Sequence, residues 1–425
     1  MPAPANLSKG VIFNPLITGS ISAAKNSIKN GIHNGVGGIP WYVILAAIIV
    51  LVWLIWLFST IYWTLPDEGT ARSLIQKKVD IYGFYANKKT SRKGLAEYLE
   101  ALKKQGIPES HFALTNFFVC SSNTPAVFTP IRDGAVSQDA LRLTLAAGAR
   151  YLDLELHPTG EKQAYIPNVT VMDEGSNWRE ITINKLSFKT VMQTIVKYGL
   201  ASKNARTDLA ETPYLNDPLF IMLRFKGPPR PEVYKATAKV LKETIESMRL
   251  DFIYNRGRQA ENIFKMPISL LFNKVVIMCN VYPSNDSELM DYINIGPRGA
   301  PPLDLPIGEI IATPQENKGK LSSLIQQNLT VTRVQLEEPD CNTNDWNWSK
   351  AHEVGVHFAA MNFWSIDDNL NKYTQPEVFG VNSFLLKPAS LRYVIEYVKP
   401  PLQPNPALNA RDGTPKELQG LTMPG

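Results

Sequence analysis

Two short polar segments carry the side chains best suited to chemistry. Cys120-Ser-Ser-Asn-Thr124 closes one apolar run, and Tyr151-Leu-Asp-Leu-Glu-Leu-His157 forms another in which Asp153 and Glu155 stand two residues apart. Side chains two apart on a strand share a face, so the two carboxylates project together. With the Asn123 amide oxygen they make a donor set of the kind taken by a hard cation; a salt-bridged carboxylate pair uses the same residues. Thiol and imidazole chemistry is thinly supplied. Cys120, Cys279 and Cys341 are odd in number and widely spaced, which excludes a disulfide framework and a CxxC zinc site and suits a reducing compartment. The five histidines are His33, His111, His157, His352 and His357, and general acid–base work near neutral pH leans on this residue. His157 alone follows the second polar strand, where it is a candidate base or a solvated loop histidine.

The elements that must position these groups follow from periodicity. From about residue 114 short β-prone apolar runs alternate with amphipathic stretches, the pattern of an α/β fold with parallel strands and covering helices. The expected strands are Thr115–Cys120, Arg150–Leu156, Tyr165–Met172, Pro218–Arg224, Lys274–Asn280, Gly308–Ile311, Thr330–Val334 and Val356–Asn362. Helices are expected at Ser137–Ala147, Ser187–Tyr198, Pro231–Leu250 and Lys320–Gln327. Eight strands in this length suit a TIM-type (β/α)8 barrel, whose chemistry sits at the C-terminal ends of its strands. The alternative, a doubly wound sheet, lacks a Gly-rich phosphate loop after its first strand.

The rest of the 425 residues divides by composition. Residues 1–40 form a basic arm rich in small residues, with Lys9, Lys25 and Lys29 and no acid. The charge-free run Trp41–Trp63 reaches roughly 35 Å as a helix and reads as a transmembrane segment with aromatic ends. Residues 64–113 read as a basic, partly helical juxtamembrane linker. Within it Leu95, Leu99 and Leu102 make an apolar stripe, Ser91 is placed to cap, and 71–104 hold nine basic residues against three acids. Residues 114–398 are the barrel, and 399–425 a Pro-rich extended or disordered tail. The net charge of +5 therefore resolves into +9 beside the membrane segment and −4 elsewhere, which speaks for anionic lipid headgroups and not for nucleic acid. Two Lys precede the span and three basic residues follow it within twenty positions, so the barrel is expected on the cytosolic side. Five sequons, at Asn6, Asn168, Asn285, Asn328 and Asn347, are compatible with the opposite orientation.

From about 115 to 392 the chain resembles the catalytic X and Y halves of eukaryotic-type phosphoinositide-specific phospholipase C. Ser121–Thr124 is similar to the family's Ser-Ser-His-Asn-Thr without the His, and Gly148-Ala-Arg-Tyr-Leu-Asp-Leu-Glu155 to its Gly-x-Arg-x-x-Glu-Leu-Asp. Further matches are Leu186–Ile195, Asp217–Leu223, Asn317–Ile325, Thr332–Val334, Gly355–Phe363, Phe379–Asn382, Leu386–Pro388 and Leu391–Arg392. The resemblance implies a phospholipase C-like phosphodiesterase barrel, here with a membrane helix in place of the family's other tethering modules.

It also implies a degenerate site. Ser122 stands at the first catalytic His position and Met172 or Asp173 at the second. Asn123, Asp153 and Glu155 keep oxygen ligands for Ca²⁺, while Arg224 replaces the third acid and is expected to pair with Asp153 or Glu155. Met278 and Asn280 replace two lysines, Pro339 falls near the inositol-stacking Tyr, and Arg333 matches a phosphate-binding Arg or pairs with Glu337. The expectation is a single-pass membrane protein whose barrel has lost catalysis and serves as a binding or structural module. It needs no cofactor, and Ca²⁺ only if active. Its partners are a bilayer and proteins of a membrane or virion assembly, and a viral or an internal membrane fits the arm's composition. Two alternatives are kept: a phosphodiesterase using His157 and Asp153 with a displaced metal, and a phosphoinositide headgroup reader using Arg333, Arg224 and the linker.

Overall fold

The computed structural model describes residues 40–64, 93–127, 135–159, 166–170, 182, 184–200, 216–227, 230–257, 260–284, 287–297, 302–333, 344, 348–393, 416–418 and 421–423. The chain forms two compact units, Met1–Ser73 and Leu74–Gly425.

The first unit holds α1 (Trp41–Thr64), 24 residues without a charge. Its Tyr42–Ser59 stretch has a mean hydropathy of 2.7 and none of it is buried. By length and composition α1 is able to cross a bilayer.

In the second unit, α2 (Leu95–Lys104) precedes β1 (Phe117–Asn123). There follow α3 (Gln138–Ala146), β2 (Tyr151–Thr159), β3 (Ile166–Val169), β4 (Leu186–Ser187), α4 (Phe188–Gly199) and β5 (Leu219–Phe225). Next come α5 (Pro231–Ile245), α6 (Ala260–Lys265), β6 (Val275–Cys279), β7 (Leu303–Asp304), α7 (Ile307–Ala312) and α8 (Gln315–Gln327). The chain continues through β8 (Thr330–Arg333), α9 (Trp348–Val354), β9 (Phe358–Asn362), α10 (Asp368–Tyr373) and β10 (Phe384–Leu386). Seven strands run parallel in the order β7-β8-β9-β1-β2-β5-β6, and Ile295 adds a single parallel bridge to Met278 beyond β6. The sheet curls into a half-barrel.

Three expectations need correction. Gly308–Ile311 lies in helix α7, and the strand of that region is the two-residue β7. Pro301, Pro302 and Pro306 bracket β7, and a residue without an N–H cannot extend a ladder. Among the described residues of Tyr165–Met172 the strand is β3, and it folds back antiparallel on β2 instead of joining the parallel set. The closed eight-stranded ring is likewise not formed: among the described residues no pairing joins β7 to the Ile295 segment.

Helices α3 and α4 keep the expected bounds to within one residue because their caps are local, whereas α5 ends at Ile245 and not Leu250, and α8 begins at Gln315 and not Lys320. Ser137 accepts from the Asp139 N–H at the start of α3, and Ser187 from the Thr190 N–H at the start of α4. The expected Ser91 cap lies outside the described residues, and α2 starts from Gly94. In the expected tail, β11 (Lys416–Leu418) and β12 (Leu421–Met423) pair antiparallel.

Alternation along the strands sorts their residues into two cores. Phe118, Cys120, Leu152, Leu154, Ile221, Leu223, Val275 and Ile277 face the helix layer. Phe117, Val119, Tyr151, Phe220, Met222, Val276, Met278, Val331, Phe358 and Ala360 face inward, and Leu95, Leu99 and Leu102 of α2 pack into the same inner cluster. Helix α2 thus belongs to the floor of the barrel. Its Leu95 N–H donates to Asp217 Oδ1 at 2.7 Å, and Asp217 lies beside the buried Arg150. Burial pushes the Asp217 carboxyl up against the pull of Arg150.

Candidate functional site at the barrel mouth

The inward parity continues past the apolar layers. After Tyr151 it brings Asp153, Glu155 and His157 of β2 inward, and after Met222 it brings Arg224 of β5. Asn123, Arg333 and Asn362 end β1, β8 and β9 on the same parity. Asn123 sits opposite Asp153 in the β1–β2 register and opposite Asn362 in the β1–β9 register. Asn123 Nδ2 donates to Asn362 Oδ1 at 3.1 Å. Asn344 holds that end of β9 by donating from Nδ2 to the Asn362 carbonyl and accepting the Asn362 N–H on Oδ1.

The charged groups are paired with one another. Arg224 Nε donates to Asp153 Oδ1 at 2.7 Å and Oδ2 at 2.8 Å, and Arg224 Nη1 to Asp304 Oδ2 at 2.6 Å. The Tyr151 hydroxyl donates to Asp153 Oδ2 at 3.1 Å. Glu155 Oε1 meets Arg333 Nη1 at 3.4 Å and Lys226 Nζ at 3.5 Å. Three carboxylates and three cations therefore sum to zero.

Asp153 is fully buried. Burial alone would raise its pKa, but the Arg224 and Arg333 guanidiniums outweigh it and hold the carboxyl below its ordinary value. Burial also opposes the charge on Arg224, and Asp153, Tyr151 and Asp304 together reverse that. Tyr151 is pushed well up by burial and then by Asp153, so it stays protonated.

The structure brings Asn123, Asp153, Glu155, Arg224 and Arg333 together as the sequence suggests, and pairs Arg224 with Asp153. Ser122 is different. It shares the parity of Phe118 and Cys120, which face the helix layer, and its buried hydroxyl is 3.3 Å from the Asn123 carbonyl. His157 is buried on β2 and not a solvated loop residue, with Nδ1 3.4 Å from the Asn168 carbonyl of β3. Met278 is packed in the inner core, and the Asn280 side chain joins β5 to its own segment by accepting the Phe225 N–H at 2.9 Å. Met172, Asp173, Glu337 and Pro339 lie outside the described residues.

Asp304 and Lys226 escaped the sequence reading. Lys226 follows Arg224 by two positions, a legible signal; Asp304 was hidden because the local strand was expected five residues later.

Ca²⁺ does not fit these residues. Its coordination asks for six to eight oxygens around one point, and here the Arg224 guanidinium lies between Asp153 and Asp304. Among the described residues no three of His, Cys, Asp and Glu converge on a common point for an ion. What the mouth offers is a set of buried polar atoms without a hydrogen-bond partner: donors Arg224 Nη2, Arg333 Nε and Asn362 Nδ2, and acceptors Glu155 Oε2 and Asn123 Oδ1.

Comparison with known proteins reaches the fold. No family model matches the sequence, and no curated protein is similar to it at a significant level. Among solved structures, the chain is similar to PLC21 of S. officinalis, with 16% identity and a TM-score of 0.50 over 67% of this chain and 38% of that one. PLC21 of L. pealei follows with 16% identity and a TM-score of 0.49 over 66% and 38% of the respective chains. A calcium-dependent phosphoinositol-specific phospholipase C from Pseudomonas sp is 6% identical with a TM-score of 0.37, over 66% of this chain and 97% of that one. The chain thus spans well under half the length of the PLC21 proteins. The fold is that of the phospholipase C-like phosphodiesterases.

Proposed function

We propose that this chain, with its phospholipase C-like fold, is a single-pass membrane protein whose barrel does not turn over phosphodiesters and serves as a binding or structural module. The observation that carries the reading is that each carboxylate brought to the barrel mouth, among the described residues, is already paired with a cation. Phosphodiester cleavage by an internal hydroxyl needs a base for that hydroxyl and an acid for the leaving oxygen. Asp153, held below its ordinary pKa by Arg224, is a poor base; Ser122 is turned to the helix layer, and His157 is tied to β3. Loss of acid and base costs about 10² to 10⁴ in rate for each if they act independently.

Helix α1 supports a membrane tether by its length and apolarity. A cytosolic barrel is supported by the buried sequon Asn168-Val-Thr170. Asn168 is only 6% exposed, and Thr170 is buried and hydrogen-bonded to Thr182. A glycan is bulky and needs the surface, so glycosylation at Asn168 would prevent the β2–β3 hairpin from packing. Expression in cells with glycosidase digestion tests the orientation: no mobility shift is expected, and a shift lost in Asn328→Gln would reverse it.

The test of function is incubation of the full-length protein in detergent with phosphatidylinositol and its phosphates, with and without Ca²⁺. No release of water-soluble inositol phosphate above background is expected. Ca²⁺-dependent release lost in Asp153→Asn would overturn the reading. A second reading, headgroup recognition without hydrolysis, is favoured by the buried donors Arg224 Nη2 and Arg333 Nε. Arg333→Gln should then weaken binding to phosphoinositide vesicles, while neutralising Lys77, Lys78, Lys88 and Lys89 should leave headgroup selectivity unchanged.

A further inference from the structure

We propose that Arg224 is the resident cation of the barrel mouth, and that its replacement by a carboxylate unmasks a divalent-cation site at Asn123, Asp153 and Asp304. The inference rests on the reading of the mouth as self-neutralised and concerns what that neutrality replaces.

The guanidinium is 6% exposed and donates to carboxylates of two strands that are not neighbours, β2 and β7. An ion shared by Asp153 and Asp304 would have to occupy the same place. A guanidinium cannot lose its charge or leave, so the native chain has a permanent cation where an exchangeable one would sit. The local charge makes the same point. With Arg224 the mouth sums to zero; with Arg224→Glu four carboxylates face only Arg333 and Lys226, a charge of −2 that a divalent cation cancels.

Oxygen ligands remain for it. Asn123 Oδ1 is fully buried, has no hydrogen-bond partner, and lies opposite Asp153 in the β1–β2 register. Asp304 sits on a two-residue edge strand with its side chain 42% exposed, so it can close on an ion. Glu155 stays with Arg333 and Lys226 and is not counted.

The experiment compares full-length wild type, Arg224→Glu and Arg224→Lys in detergent. Thermal unfolding is followed in EDTA, in Mg²⁺ and in Ca²⁺, and Tb³⁺ luminescence is excited through Tyr151, whose hydroxyl contacts Asp153. Wild type and Arg224→Lys should unfold at a midpoint indifferent to Ca²⁺ and give no sensitised Tb³⁺ emission. Arg224→Glu should melt low in EDTA and regain roughly 3–5 °C at a Ca²⁺ concentration a hundredfold above Kd, with Tb³⁺ emission displaced by Ca²⁺. If Arg224→Glu does not fold in EDTA, recovery of folded protein on expression and purification in Ca²⁺ is the expected result. A Ca²⁺-dependent midpoint in wild type, or an Arg224→Glu chain that neither binds Tb³⁺ nor gains stability or yield from Ca²⁺, would overturn the proposal. Hydrolysis by wild type in EDTA would sink the non-catalytic reading and leave this one standing.

Discussion

Replacing Arg224 by Met removes the charge and keeps most of the side-chain volume, leaving the Asp153 carboxylate at 0% exposure with only the Tyr151 hydroxyl and the distant Arg333 to support it. Breaking a buried pair by removing one partner costs about 3–5 kcal/mol, whereas removing both is far cheaper. For a unit of this size that is a fall of roughly 4–8 °C in the unfolding midpoint. The double variant Asp153→Asn/Arg224→Met should recover at least half of the loss, giving a coupling of about 2 kcal/mol or more. The pH dependence adds a check of sign. In wild type the Asp153 pKa is below its ordinary value, so its contribution is complete above the ordinary carboxylate range and is lost as pH falls through the folded value. In Arg224→Met burial dominates and raises the folded pKa. The contribution is then present below the unfolded value and lost as pH rises, so the variant should gain stability relative to wild type between about pH 6 and pH 4. Circular dichroism melts of the four chains across that range decide it. A loss under about 1 kcal/mol for Arg224→Met, or no recovery in the double variant, would refute the buried-pair argument.

Three further outcomes follow from the packing. Truncation to residue 110 removes Leu95, Leu99 and Leu102 from the inner core, so that fragment should fail to give a cooperative melt, and Leu99→Ala in the full chain should cost about 2–5 kcal/mol. A Cβ at Gly380 would stand 2.6 Å from the backbone at Thr374 and Gln375, so Gly380→Ala should lower the chemical-denaturation stability by about 3 kcal/mol. Lys387 is fully buried without a hydrogen-bond partner, and burial drives its pKa well down, as it drives His352 down to about 3. Unfolding lets both groups take up protons, so stability should rise with pH through neutrality and towards the ordinary lysine value. Lys387→Met should raise the melting midpoint at pH 7 and flatten that slope above it.

How much of this could be read from the residues varies with the range of the interaction involved. Period-two alternation identified Asp153 and Glu155 as neighbours on one face, and hydroxyl caps located α3 and α4, because both signals are local. The parallel strands from β1 through β6 were legible as apolar runs. Helix α7 was misplaced because Ile-Gly-Glu-Ile-Ile is short enough to suit either state, and only the proline before it and the sheet beside it decide. The antiparallel return of β3 was illegible for a similar reason, since hairpin pairing depends on register and not on the strand's own composition. Leu95, Leu99 and Leu102 were visible as a stripe, but its burial under the barrel required knowing where Asp217 would stand. In the site, the pairing of Arg224 with Asp153 was foreseeable from charge; the second carboxylate, Asp304, was not, because it arrives from a strand 80 residues away.

We propose that the mouth, with its carboxylates committed to Arg224, Arg333 and Lys226, supports no phosphodiester cleavage. A single-turnover assay tests it most directly, with full-length protein in excess over radiolabelled phosphatidylinositol 4,5-bisphosphate in mixed micelles, so that even one slow event per molecule is counted. Inositol phosphate release in Ca²⁺ should match that in EDTA and that of Asp153→Asn over many hours. Ca²⁺-dependent release by wild type that disappears in Asp153→Asn would contradict it.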